Sequence, residues 1–146
     1  MWNIFGNANK KSKNVKQWEK EHRQLENLAG AIIGAYDKGD VKETRKQLGK
    51  LKDVALNHLM NEDLTFYEMK RKVGNKDKDV FSAMAEFETS FREVKLVLIK
   101  FLDHYSNPEV DLDEEFKTTF DVIVGVLVER IQFEESNLYV LLDRAS

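Results

Sequence analysis

Cysteine is absent from the 146-residue chain. Its absence excludes disulfides, thiolate metal sites and cysteine nucleophiles, and it suits a reducing, cytoplasmic setting. Proline occurs once, at Pro108, and glycine seven times, so few residues break regular structure and long helices are expected. No apolar run approaches the ~20 residues of a membrane-spanning helix. The opening Met-Trp-Asn-Ile-Phe-Gly lacks the basic-then-apolar order of a signal peptide. Charge of one sign is also lacking. The net charge of −3 gives no general attraction to nucleic acid. No Gly-rich phosphate loop, dinucleotide fingerprint or nucleophile elbow occurs, so the chain is read as non-enzymatic.

What is present is amphipathic. Hydrophobic residues make up 42% of the chain and charged residues 34%, a balance suited to helices with one buried face. Residues 1–13 read as an N-terminal arm, with Trp2, Ile4 and Phe5 followed by Lys10, Lys11 and Lys13. Residues 14–146 read as a single domain of four helices. The first covers about 14–37, with Val15, Trp18, His22, Leu25, Ala29, Ile32 and Tyr36 on one face. The second covers about 41–73, with Leu48, Leu51, Ala55, His58, Glu62, Phe66, Met69 and Val73. The third covers about 78–105, ending before Pro108, with Val80, Met84, Phe87, Phe91, Val94, Leu98, Phe101 and Tyr105. The fourth covers about 113–143, with Phe116, Phe120, Ile123, Leu127, Arg130, Glu134, Leu138 and Leu141. Short links between long helices predict an all-α, antiparallel up-down-up-down four-helix bundle.

Charge interrupts three of these apolar faces. A ten-residue pattern occurs twice, as His58-x-x-x-Glu62-Asp63-x-x-Phe66-Tyr67 and as Arg130-x-x-x-Glu134-Glu135-x-x-Leu138-Tyr139. Residues four apart share a helix face, so each pattern places a basic group and a carboxylate on its seam. His22 lies near the start of helix one, where an antiparallel neighbour brings the half of helix two that carries His58 and Glu62. Buried charge is costly unless it is paired or bound to metal. Two imidazoles and two carboxylates suit iron, manganese or zinc. The competing reading is a metal-free network in which Arg130 forks onto Glu62 or Glu134. Tyr67 and Tyr139 read as core-edge residues or as partners of the carboxylates. Met60, Met69 and Met84 read as packing residues, and Asp111 to Glu115 as a helix-start cap.

His22, the His58-x-x-x-Glu62-Asp63-x-x-Phe66-Tyr67 run and the Glu134-Glu135-x-x-Leu138-Tyr139 run resemble the hemerythrin-like (HHE cation-binding) domains across about residues 14–143. That resemblance implies a four-helix bundle around a non-haem di-iron centre that binds oxygen or senses oxygen, iron or redox state. It assigns His22, His58, Glu62 and Glu134 as metal ligands. Arg130 replaces the helix-four histidine of the family pattern, and helix three has no histidine near Phe91 or Val94. The resemblance therefore implies a mononuclear or degenerate di-iron site with Arg130 filling the vacated half. The alternative is a metal-free module with a protein partner or a second copy of itself. A looser likeness to the regulator of sigma D family, over residues 116–143, Trp18 and Phe66-Tyr67-Glu68, keeps that alternative open.

Overall fold

A computed structural model describes residues 13–73 and 76–145, apart from the side chains of Ser90, Arg144 and Ala145. The proposed arm therefore lies outside the described residues except for Lys13, which is the first residue of helix α1. The helices are α1 (Lys13–Asp37), α2 (Val41–Val73), α3 (Lys78–Tyr105), α4 (Glu114–Phe133) and α5 (Tyr139–Ala145). Between α4 and α5 the chain keeps right-handed helical dihedrals but widens into a π-helical segment, Glu134–Leu138. These last three pieces make one continuous fourth rod. No strand occurs among the described residues, and no helix among them is long and apolar enough to cross a membrane.

Local chemistry marks each helix end. Gly39, at φ 75°, supplies the left-handed residue that lets the chain turn out of α1. Asp40 accepts the Glu43 N–H at 3.0 Å and so opens α2. Asp77 caps α3 through the Val80 N–H at 3.2 Å, and Asp113 caps α4 through the Phe116 N–H at 3.0 Å. Capping of this kind stabilises a helix start by about 1 kcal/mol. It bears out the helix-start reading of the acidic run around Asp113.

Contacts between rods fix the topology. Lys52 pairs with Asp103, Asp63 with Lys95 and Lys70 with Glu88, so α2 and α3 run antiparallel. Phe87 stacks near Phe133 while Phe101 meets Phe116 and Phe120, so α3 and α4 are antiparallel too. Tyr36 donates to the Asp113 carbonyl at one end, and His22 meets Glu134 farther along, which sets α1 against the fourth rod. The result is the expected up-down-up-down bundle. All eight expected seam residues of α2 are buried, including His58 and Glu62. Met60 departs from its reading as a packing residue: it lies two positions past His58, about 200° around the helix, and is exposed.

Candidate metal centre

Three rods deliver the polar cluster. Helix α1 brings His22 one turn after the buried Trp18. Helix α2 brings His58 and Glu62, one turn apart on one face. The fourth rod brings Glu134 and Tyr139. His22, His58, Glu62 and Glu134 are all buried, and one donor atom from each lies within 4.8 Å of the others. Two ligands about 2.1 Å from a shared ion stand at most ~4.2 Å apart, so the cluster is of the right size for one ion after small rearrangement. The individual distances are shorter. His22 Nε2 is 3.1 Å from His58 Nε2 and 2.9 Å from Glu134 Oε1. His58 Nε2 is 2.9 Å from Glu62 Oε2. The Tyr139 hydroxyl donates to Glu62 Oε2 at 2.6 Å, with Glu134 Oε1 at 3.0 Å and His22 Nε2 at 3.1 Å around it.

The outward nitrogens orient both rings. His22 Nδ1 lies 2.8 Å from Glu135 Oε2, and Arg23 pairs with the same oxygen at 2.8 Å. His58 Nδ1 lies 2.7 Å from Glu21 Oε1. A carboxylate accepts, so each Nδ1 carries a proton, and a ring without a second proton turns a bare Nε2 lone pair inward. Two such lone pairs at 3.1 Å, beside two carboxylates, repel unless protons or a cation stand between them. One oxygen is left over as well: Glu62 Oε1 is buried without a hydrogen-bond partner. Orphaned buried acceptors are rare and costly. This donor set of two imidazole nitrogens and two carboxylates, with excess acceptors and each imidazole held by an outer carboxylate, fits a metal cation.

Titration shifts describe the competition for protons. Burial pushes the Glu134 carboxyl well above its ordinary value, and the like charge of Glu62 adds to that. Burial opposes ionisation of Glu62 too, but the hydrogen bond and charge of His58 and the Tyr139 hydroxyl bring its pKa below the ordinary value. Burial also works against a proton on His58, yet Glu62 and Glu21 outweigh it and raise its pKa. Burial and then the charges of Glu62 and Glu134 raise the pKa of Tyr139, which keeps it a neutral donor. Without metal, burial and like charge thus strengthen the hold of Glu134 on a proton, while His58 and Tyr139 weaken that of Glu62.

The π-helical segment explains why the two tyrosines part company. Tyr67 and Tyr139 each follow a seam glutamate by five residues. In a regular helix five residues turn about 500°, which leaves the fifth side chain roughly 140° off the seam. Tyr67 obeys that rule and is 64% exposed, which corrects its reading as a core-edge residue or carboxylate partner. In the fourth rod the Tyr139 N–H bonds the Glu134 carbonyl, an i→i+5 link that closes a wider turn. The fifth residue comes back to the seam, and Tyr139 is 1% exposed. The same phase shift buries Leu142, while Leu141, expected on the seam, is half-buried. Tyr139→Phe strips a buried donor from two carboxylates and is expected to destabilise the protein by about 1–3 kcal/mol. Tyr67→Phe is expected to stay within ~0.5 kcal/mol of the parent. Urea unfolding of both variants checks the contrast; equal effects would remove the role given to the π turn.

Arg130 lines the other half of the bundle's middle. Its guanidinium carbon lies 4.8 Å from the Phe87 ring centroid, 4.7 Å from Phe91 and 5.7 Å from Phe133. These are cation–π contacts. Burial lowers its pKa, and the charges of Glu134 and Glu62 oppose that shift. The described α3 residues that meet Arg130 there, Phe87 and Phe91, are aromatic hydrocarbons without a ligating atom. His104 is exposed at the far end of α3. Asp63, read as just off the seam, is tied to Lys95 at 2.7 Å, whereas Glu135 does reach a ring nitrogen. Sequence reasoning missed Glu21. Its signal was available: it adjoins His22 and lies on the α1 flank that an antiparallel α2 must face.

A family model described as the hemerythrin HHE cation-binding domain matches residues 13–142. No curated protein and no solved structure matches the chain.

Proposed function

The chain belongs to the hemerythrin HHE cation-binding domain family, and on that premise we propose that it binds one iron ion through His22, His58, Glu62 and Glu134. One observation carries the reading: two imidazole Nε2 atoms converge 3.1 Å apart beside an unpartnered carboxylate oxygen, Glu62 Oε1, inside the bundle. Bound there, iron would supply a redox-active Lewis acid. The chain's own residues do the rest. Glu21 and Glu135 hold the rings in register. Tyr139 orients the carboxylates. Phe87 and Phe91 close the α3 side, which offers no second ligand cluster among the described residues. A single iron held in this way would suit sensing or binding of dioxygen, iron level or redox state.

Anaerobic loading with ferrous iron, followed by desalting and metal analysis, tests this. One iron per chain is expected. Absence of retained iron would leave the cluster as a proton-sharing network and favour the interaction-module reading. The outer carboxylates give a second check. Glu21→Gln and Glu135→Gln are each expected to weaken iron binding by about 10–100-fold while the bundle stays folded. Competition against a coloured chelator reads the loss; unchanged affinity in both variants would show that the rings need no outer support.

A further inference from the structure

A cavity of about 280 Å³ runs through the bundle away from the cluster. His22, His58, Glu134 and Arg130 line its inner end, and from there on its walls are almost wholly apolar. Along α1 the lining extends from His22 to Ile33, about 16 Å at the helical rise of ~1.5 Å per residue. The lumen is therefore long and walled by aliphatic and aromatic side chains. It opens along the seam between α1 and α4, where Gly30 is exposed and Val124 and Leu127 are half-buried. A Cβ built on Gly30 would meet nothing within 4 Å, so the opening is not filled by neighbouring side chains.

We propose that this channel binds one single-chain amphiphile with a carboxylate head, its alkyl tail lying along the α1–α4 seam and its head on Arg130. Arg130 is the permanent cation of the lining, and a guanidinium presents a planar fork of N–H donors that matches a carboxylate. Its stacking on Phe87 and Phe91 holds the fork at the inner end of the channel. Of the two acidic groups in the lining, Glu26 pairs with Arg23 at 2.6 Å, and Glu134 is held at the inner end by His22 and the Tyr139 hydroxyl. The walls then supply affinity in proportion to the methylenes buried. This site goes beyond the iron reading: His22, His58 and Glu134 border its inner end, but Arg130 and the apolar walls that hold the ligand are not among the four donors.

Titration calorimetry of the full chain, treated with chelator, against hexanoate, octanoate and decanoate below their micellar concentrations tests the proposal. One molecule per chain is expected, with affinity rising about fourfold per added methylene. Decanol and decylammonium are expected to bind at least tenfold more weakly than decanoate. Arg130→Gln should bring decanoate down to the level of decanol. Gly30→Leu places a side chain in the opening and favours the helix, so it should raise the thermal midpoint and abolish decanoate binding. No saturable binding of decanoate, equal binding of decanol or decylammonium, or full decanoate affinity in a folded Gly30→Leu variant would each overturn the proposal.

Discussion

His58→Ala should retain no iron under conditions in which the parent retains one per chain. The expectation follows from where the ring sits. Its Nε2 is the atom that faces both His22 Nε2 and Glu62 Oε2, at 3.1 and 2.9 Å. Its Nδ1 is the anchor for Glu21. Removing it leaves one imidazole and two carboxylates, which repel each other without a cation or shared protons. The loss should also appear in stability. A ligand at 1,000 times its dissociation constant stabilises the folded state by about 4 kcal/mol. In a domain of ~150 residues that corresponds to a rise in thermal midpoint of about 10 °C. The parent should show that rise on anaerobic iron loading and the variant should not. The rise should shrink as pH falls into the range where His58 takes up its proton, which lies above the ordinary histidine value because Glu62 and Glu21 favour the protonated ring despite burial. Stoichiometric iron in His58→Ala would sink the ligand assignment. Two irons per chain in the parent would mean that a second ion is held despite Phe87, Phe91 and Arg130.

Most of the bundle could be read from hydrophobic period and breakers. The expected helices 14–37, 41–73 and 78–105 coincide with α1, α2 and α3 to within one residue, because Gly39, Asp40, Asp77 and Pro108 are unambiguous stops and starts. The four clustered donors were legible for a related reason: polar residues on an otherwise apolar stripe stand out, and antiparallel packing puts the stripes at matching heights. What was not legible depends on phase rather than composition. A single wide turn at Glu134–Leu138 rotates everything after it, and its five residues look like ordinary helix. That one change buries Tyr139, separates it from its counterpart Tyr67 and moves Leu142 into the core. The setting of Arg130 was also hidden. Position 130 was readable as a seam residue, but a long side chain can reach sideways, and here it lies over three phenylalanine rings contributed by α3 and α4.

Glu134→Gln should separate the iron reading from the metal-free network, because the two assign opposite signs to its effect on stability. In the metal-free protein the Glu134 carboxyl has its pKa raised well above the ordinary value, first by burial and then by Glu62. A carboxyl whose folded-state pKa is raised contributes stability below the unfolded-state pKa of ~4.3 and loses it as pH rises towards the folded-state value. At pH 7.5 the carboxyl is therefore a liability that an isosteric neutral amide lacks. Metal-free Glu134→Gln should be more stable than the parent by about 1–3 kcal/mol, within the range seen when buried charge is replaced. The advantage should vanish below about pH 4. With iron the order should reverse, since the amide is a poorer ligand and forfeits the stabilisation from metal binding. Denaturant unfolding at two pH values, with and without ferrous iron, gives all four numbers. Were the carboxylate instead held by Arg130 in a structural ion pair, the metal-free variant would be destabilised by about 3–5 kcal/mol at neutral pH, because a buried cation would lose its partner. That outcome would make the cluster a scaffold for the fold. The first would make it a group of side chains kept at the expense of stability, as a ligand set is.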